Sequence, residues 1–272
     1  MDYKGYEHIS LNDEELAAFY ELRLNIAALT NQYIIIHDKN GSIVDRYCFQ
    51  DGKWRKVVPS PIYTQHNKPL RPRNEEQILA FDMLRDPKVG IKVIAGRQGS
   101  GKSLAMINQS IHMVEEGMVD KIVYVRNNVE VRDTPGLGFL PGTEFLKLKP
   151  YLMQFADHIG GEDALESFID RGILEPIHLG YIRGRDIRNA IIYCTEAQNL
   201  TIDHMKLLVG RVGEGSQLWL DGDFLMQVDK PIFEKSSGLQ NIIEKLKGNP
   251  NFGYVELQKS ERSEIAALAD LL

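Results

Sequence analysis

Eight consecutive residues limit what this chain can fold into more than any other feature: Gly96-Arg97-Gln98-Gly99-Ser100-Gly101-Lys102-Ser103, a complete G-x-x-x-x-G-K-S phosphate loop. The apolar run Ile91-Lys92-Val93-Ile94-Ala95 leads directly into it, and the helix-like stretch Leu104-Ala105-Met106-Ile107-Asn108-Gln109 leads out. A strand that ends in such a turn and opens a helix aims backbone N–H groups and the positive helix end at one small volume. Gly96, Gly99 and Gly101 let the backbone wrap phosphates without Cβ clashes. Arg97, Gln98 and Ser100 lend their backbone to the wrap, Lys102 reaches the β- and γ-phosphates, and the Ser103 hydroxyl can ligate Mg²⁺. The chain is expected to bind a nucleoside triphosphate.

Composition narrows the class. The 272 residues are 43% hydrophobic and 26% charged, as in a soluble globular protein with material for a sizeable core. No segment approaches the roughly 20 apolar residues of a bilayer-spanning helix. The first residues lack the apolar core of a secretory signal, so the expected compartment is cytoplasmic, without a membrane partner. Two cysteines, Cys48 and Cys194, stand far apart without metal-ligand spacing and are expected to be reduced. A net charge of −6 argues against a whole-surface nucleic-acid binder, though not against a local basic groove.

Residues 1–70 read as a separate small module. A capped helix start at Ser10-Leu11-Asn12-Asp13-Glu14-Glu15 is followed by apolar positions 16, 19, 22 and 26 at helical spacing. A β-hairpin then joins 33–36 to 43–49, a turn at 50–52 leads into 54–58, and four prolines between 59 and 72 suggest a linker crossing the surface. Residues 71–272 alternate strands (near 91–95, 121–125, 173–179, 190–195, 216–221 and 253–258) with helices (near 74–85, 102–116, 143–157, 162–170, 201–210, 236–247 and 261–271). That alternation implies an α/β fold, a mainly parallel sheet flanked by helices, with ligands at the carboxyl ends of the strands.

Further polar groups fall at strand ends. Asn74 and Gln77 open the helix after the proline-rich stretch. A glutamine there can pair with the N6 and N7 edge of adenine, or simply be a solvated side chain. Ile191-Ile192-Tyr193-Cys194-Thr195-Glu196 is an apolar strand tipped by Glu196, which suits a carboxylate that activates water. Ser216-Gln217-Leu218-Trp219-Leu220-Asp221-Gly222-Asp223 is the next, with Asp221 and Asp223 at its tip and Gln227 beyond, placed to sense a terminal phosphate. His178 and His204 show no ligand spacing.

Together these residues resemble the PhoH family, phosphate-starvation-inducible ATPases on a superfamily 1 helicase-like, RecA-like P-loop core. The resemblance rests on Arg73-Asn74-Glu75-Glu76-Gln77, the phosphate loop, Leu137-Gly138-Phe139-Leu140-Pro141-Gly142, Tyr181-Ile182-Arg183-Gly184-Arg185, Glu196-Ala197-Gln198-Asn199, Gly222-Asp223 with Gln227 and Asp229, and Glu261-Arg262-Ser263. It implies ATP and Mg²⁺ as cofactors, catalytic roles for Lys102, Glu196, Asp223 and Gln227, and action on single-stranded RNA by a homo-oligomer, often a ring such as a hexamer. Longer members carry a PIN ribonuclease domain before the β-rich segment. None is expected here, so a nuclease would be a separate partner.

One departure matters. The family usually reads Asp-Glu-Ala-Gln where this chain has Thr195-Glu196-Ala197-Gln198, and Thr-Gly-Asp where it has Asp221-Gly222-Asp223. Neighbouring strands lie about 4.8 Å apart, so Asp221 can supply the carboxylate lost at Thr195, with Ser103 and Glu196 completing the metal environment. Without that compensation the chain would be a slow ATPase or an ATP-binding switch. A small-molecule kinase is the other alternative, though a glutamate poised for water is wasted there. For RNA, Arg126, Arg132, Arg183 and Arg185 with the aromatic platforms Phe139 and Tyr181 form the expected groove. Hydrolysis gains about 10³–10⁵ in rate from an inserted arginine. With one motor unit in the chain, Arg211 or Arg262 of a neighbouring subunit would supply it.

Overall fold

In the computed structural model, which describes residues 3–127, 144–223 and 237–261, the chain begins with strand β1 (Tyr6–Ser10) and helix α1 (Asp13–Tyr20). Strands β2 (Tyr33–His37), β3 (Ile43–Gln50) and β4 (Lys53–Lys56) follow, and β1 pairs parallel to β2 to complete a four-stranded sheet in the order β1-β2-β3-β4. The hairpin and second turn lie where the sequence indicates. β1 has no counterpart in the sequence reading, because its partner lies more than 20 residues away and only its first residue is buried.

The α1 cap is a reciprocal pair. Asn12 accepts from the N–H groups of Glu14 and Glu15, and the Glu15 carboxylate accepts from the Asn12 N–H. The helix does not run on to residue 26 as the apolar spacing suggests. Leu22 takes φ 59° and is 87% exposed, and Arg23 N–H and Leu22 N–H close back onto the carbonyls of Ala18 and Phe19. This is a Schellman stop with leucine in the usual glycine position. Leu24 and Ile26 instead pack from a loop onto Phe19, Ile34 and Ile36.

Helix α2 (Glu75–Arg85), strand β5 (Ile91–Gly96), helix α3 (Lys102–Glu115) and strand β6 (Lys121–Arg126) begin the second unit of alternation. Helices α4 (Glu144–Ile159) and α5 (Glu162–Asp170) precede β7 (Leu174–His178) and β8 (Ala190–Cys194), and α6 (Ile202–Val209), β9 (Gln217–Gly222), α7 (Gly238–Leu246) and β10 (Phe252–Leu257) follow. The strands form one all-parallel sheet, ordered β10-β5-β9-β8-β6-β7. β8 (Ala-Ile-Ile-Tyr-Cys) is buried throughout, as an interior strand covered on both faces must be. The helix expected over 261–271 falls outside the described residues.

Alternation along each strand sorts side chains between two cores. Ile94, Ile122, Tyr124, Ile191, Tyr193 and Trp219 face α2, α3, α4 and α5, whereas Val93, Val123, Ile192, Cys194, Leu218 and Leu220 face α6 and α7. Asp221 is two residues beyond Trp219, so its side chain emerges on the same face as α3 and Tyr193. That parity decides what it can touch.

The N-terminal sheet is fastened to the larger one. Asn31 Nδ2 donates to the carbonyls of Pro250 and Phe252 at 2.9 Å each, Tyr6 OH donates to Glu76 at 3.1 Å, and Arg46 and Arg55 pair with Glu75 and Asp82 on α2. Tyr33, Ile35 and Cys48 share a core with Phe81 and Leu84. The proline-rich stretch is likewise docked. Ile62 is buried and exchanges two 2.9 Å backbone hydrogen bonds with Leu70, and Asn67 is anchored to both α3 and α4. Among the described residues no helix is long and apolar enough to cross a membrane.

Candidate active site

The loop after β5 needs glycine where it meets β10. A Cβ on Gly96 would lie 2.1 Å from the Leu257 carbonyl oxygen, and φ is +150° there. Gly101 caps α3 at φ +90°, a region that suits glycine. No side chain caps α3. Its first-turn N–H groups, which no helix can satisfy internally, are therefore available to an anion.

Each loop carbonyl from 96 to 100 is held by another group. Lys102 Nζ donates to Gly96 (2.6 Å) and Arg97 (2.9 Å), Ser260 Oγ to Gln98 (3.3 Å), Glu261 N–H to Gly99 (2.9 Å) and Gln77 Nε2 to Ser100 (2.9 Å). With the carbonyls occupied, the loop amides other than Ser100 N–H, which donates to the Arg97 carbonyl at 3.3 Å, are left for phosphate. Asn74 joins this bracing: it caps α2 by accepting from Gln77 N–H and donates to Glu261 at 2.7 Å. Gln77 is buried, and its carboxamide oxygen accepts from Arg73 N–H at 2.8 Å. Both ends of the group read from sequence as a base contact are thus engaged in holding the loop.

Across the cleft, a space of roughly 310 Å³, stand Glu196, Asp221, Asp223, Gln154 and His158. Asp221 is 2% exposed, and its Oδ2 accepts from Ser103 Oγ at 2.6 Å and Tyr193 OH at 2.7 Å while its Oδ1 accepts from Glu196 N–H at 3.1 Å. Thr195, at the tip of the adjacent β8, is buried with its Oγ1 unbonded among the described residues. Of the two exchanged side chains, it is Asp221 that meets the loop serine. An alcohol oxygen and carboxylate oxygens at the cleft are hard donors of the kind Mg²⁺ takes beside phosphate and water, so Ser103 and Asp221 fit that ion.

Glu196 adopts left-handed geometry (φ 55°, ψ 40°), which is strained for a residue with a side chain and common at functional sites. Gln198 Nε2 donates to its carboxylate at 2.6 Å and Gln198 Oε1 accepts from Asp223 N–H at 3.1 Å, so one carboxamide ties the two strand tips together. Burial raises the Glu196 carboxyl above the ordinary range, and the Asp221 charge adds to the rise. Gln198, Arg126 and Lys102 oppose it. Burial lowers the His158 imidazole despite Asp157 and Asp221. The Tyr193 hydroxyl is pushed far up by burial and then by Asp221.

The basic residues divide. Arg126 ends β6, Tyr181 follows β7, is 66% exposed and sets its ring edge-on to His178, and Arg183 is exposed. Arg185, expected to face nucleic acid, instead donates to Glu175 at 2.8 Å, beside Lys121 at 2.6 Å. Burial works to raise the Glu175 carboxyl, and these two cations outweigh it and hold the group low. Arg211 turns inward, donating to the Arg185 carbonyl at 3.3 Å. Arg132, Phe139, Gln227 and Arg262 lie outside the described residues.

The family model for PhoH-like proteins matches residues 69–269, three quarters of the chain, and takes in every loop and strand tip just described. The chain belongs to the PhoH-like family. Protein PhoH2 of Bacillus subtilis is 34% identical over 284 residues, covering 98% of this chain and 60% of that protein. Protein PhoH2 of Mycolicibacterium smegmatis is 36% identical over 202 residues, covering 73% and 46%. The PhoH-like protein of Bacillus subtilis is 36% identical over 169 residues, covering 61% and 52%. This PhoH-like chain therefore spans about half to three fifths of the curated relatives it matches. The SWI2/SNF2 ATPase core of Sulfolobus solfataricus in complex with dsDNA aligns over 62% of this chain and 37% of that one, at 18% identity and a TM-score of 0.35, too loosely to add to what the sheet order gives.

Two cleft residues, Gln154 and His158, carry no sequence signal. They lie four residues apart on α4 beside Leu152, Phe155, Ala156 and Ile159, and the apolar spacing there reads only as a core-facing helix.

Proposed function

We propose that this PhoH-like chain is a magnesium-dependent ATP hydrolase that couples turnover to single-stranded RNA, acting as a homo-oligomer in which a neighbour's arginine completes the site, either Arg262 or an Arg211 swung out from its inward contact with the Arg185 carbonyl. The observation that carries the reading is the convergence of Asp221 and Glu196, at the tips of the neighbouring strands β9 and β8, on Ser103 at the start of α3 in the anion cradle.

The roles follow from the contacts. Lys102 exchanges its two loop carbonyls for the β- and γ-phosphates, and the α3 N-terminus takes up the remaining negative charge. Held by Ser103 and Asp221, magnesium would neutralise charge on the phosphate oxygens. Glu196, fixed by Gln198, accepts the proton of the attacking water, and its raised carboxyl makes it a stronger base than an exposed glutamate. Asp223, held through its N–H by Gln198, senses the terminal phosphate from the same edge. Adenine selection by Asn74 and Gln77 requires the Gln77 carboxamide to keep a lone pair or a proton for the base beyond the loop contacts it already makes. Arg126, Tyr181 and Arg183, at or beyond the carboxyl ends of β6 and β7, support the RNA assignment with a cation and stacking surface on the rim.

The test is phosphate release from ATP and from GTP, with and without magnesium and single-stranded RNA. The expected result is magnesium-dependent release, favouring ATP and stimulated severalfold by RNA. Because few phosphates can be neutralised on this rim, the stimulation should fall only gently with salt. Equal rates with ATP and GTP, unmoved by RNA, would remove the base and RNA assignments together.

A second expectation concerns pH. Glu196 must be deprotonated to accept a proton, and its carboxyl lies above the ordinary value of 4.5. Single-turnover hydrolysis should therefore decline as pH falls through a point above the usual glutamate range. An acid limb that persists unchanged in Glu196→Gln would remove Glu196 as the base.

A further inference from the structure

Helix α4 enters the site from a side that no motif marks. Leu152, Phe155, Ala156 and Ile159 fix it in the core, with Phe155 edge-on to Tyr124 at 5.6 Å. This leaves Gln154 and, one turn on, His158 lining the cleft. Gln154 Nε2 donates to Ser103 Oγ at 3.0 Å.

That contact uses up a particular valence. A serine hydroxyl has one proton to give and two lone pairs. The Ser103 proton goes to Asp221 Oδ2 at 2.6 Å, and one lone pair receives the Gln154 amide. A single lone pair remains, and its direction is set by the other two bonds. Without the Gln154 donor the hydroxyl keeps its bond to Asp221 but can turn about it, spreading the free lone pair over a wide arc.

The helix that carries this donor is itself clamped. Asn67, in the proline-rich stretch, donates to the His158 carbonyl at 2.7 Å and to Asn108 Oδ1 at 3.0 Å, and Asn108 in turn bonds the Leu104 carbonyl at 2.8 Å. One carboxamide thus ties α3 to α4 a turn beyond the Ser103–Gln154 contact, and sets the spacing across which that contact forms.

We propose that Gln154 is a positioning residue for the cation, orienting the Ser103 hydroxyl, and that Asn67 holds α4 at the distance this requires. The proposal rests on the magnesium-dependent reading above. Such outer contacts typically change metal affinity by about 10-fold or more when removed, and they leave untouched a ligand that binds without the metal.

The test uses the full chain and a fluorescent, non-hydrolysable β,γ-imido analogue of ATP, titrated with magnesium and with EDTA. In the wild type, magnesium should tighten binding. Gln154→Met, which keeps length and volume but has no donor, should lose about 10-fold of that gain and match the wild type in EDTA. Asn67→Ala should lose part of the gain in the same way. Thermal unfolding of Gln154→Met at the wild-type temperature shows that the loss is local. If both variants keep the whole gain, or if EDTA affinity falls equally, the proposal is overturned while the hydrolase reading stands. A wild type with no gain at all overturns both.

Discussion

Asp221→Asn should lower magnesium-dependent ATP hydrolysis by roughly 10²–10³-fold, the usual cost of removing one preorganised electrostatic group from a phosphoryl- or acyl-transfer site. The substitution keeps shape and removes charge. An Asn carbonyl oxygen in the place of Oδ2 can still accept from both Ser103 and Tyr193, but its NH2 then faces the Glu196 N–H, donor against donor, and no carboxylate is left for a cation. Folding should not suffer in proportion. Asp221 is a buried acid beside Glu196, whose own carboxyl is raised in part by it, so neutralising Asp221 relieves a like-charge contact. Single-turnover phosphate release and thermal unfolding on the same preparation separate the two effects. A large loss of rate with an unchanged or slightly higher melting temperature is the expected pair. A rate within twofold of the wild type would place the cation's support elsewhere and leave the Thr195-for-Asp221 exchange without functional meaning.

That exchange also shows what the sequence can and cannot say. The phosphate loop, the six strands of the parallel sheet and most of its helices are legible because each is a local pattern: an apolar run, a cap, a glycine turn. The adjacency of β8 and β9 is needed for Asp221 to cover for Thr195, and it holds. The contact that gives the exchange chemical sense is with Ser103, at the start of the helix that follows β5, and it depends on which face of β9 residue 221 occupies. Side-chain parity relative to a helix that covers the sheet is a tertiary property.

The misses have the same origin. β1 is short, mostly exposed and paired in parallel with a distant strand, so no periodicity marks it. The helical spacing over Leu16, Phe19, Leu22 and Ile26 is real, yet the chain turns at Leu22 and the last residues reach their core from a loop. Arg185 belongs to a string that suggests an anion surface, and only the register of β6 on β7, with Glu175 opposite Val123, shows it pairing with a carboxylate. Gln154 sits in a helix whose local sequence says nothing about the serine facing it.

Lys92→Met should stabilise the fold at neutral pH by about 3 kcal/mol, an increase of roughly 5–10 °C in melting temperature for a chain of this size. Lys92 is the second residue of β5 and has no exposed surface, its Nζ donating to the Leu84 carbonyl at the end of α2 at 2.7 Å and lying 5.2 Å from the Trp219 ring centroid. Burial lowers its pKa from 10.5 to about 7, with Asp86 and Asp82 opposing. In the unfolded chain the amine stays protonated up to 10.5, so near pH 7 folding works against several kcal/mol of proton affinity. Part of that is recovered by the Leu84 hydrogen bond, worth about 1 kcal/mol and absent in the methionine variant. The pH dependence gives the sign. Below about pH 7 the full cost of the lysine is present. It shrinks as pH rises towards 10.5, and above that pH the amine is neutral in both states. Urea unfolding of both proteins at pH 7 and pH 10 should show the methionine variant more stable at the lower pH and the gap largely closed at the higher. A gap of the same size at both pH values would mean that Lys92 enters the core without losing proton affinity. A less stable variant at pH 7 would mean that its hydrogen bond and its contact with Trp219 outweigh the cost of burying the amine.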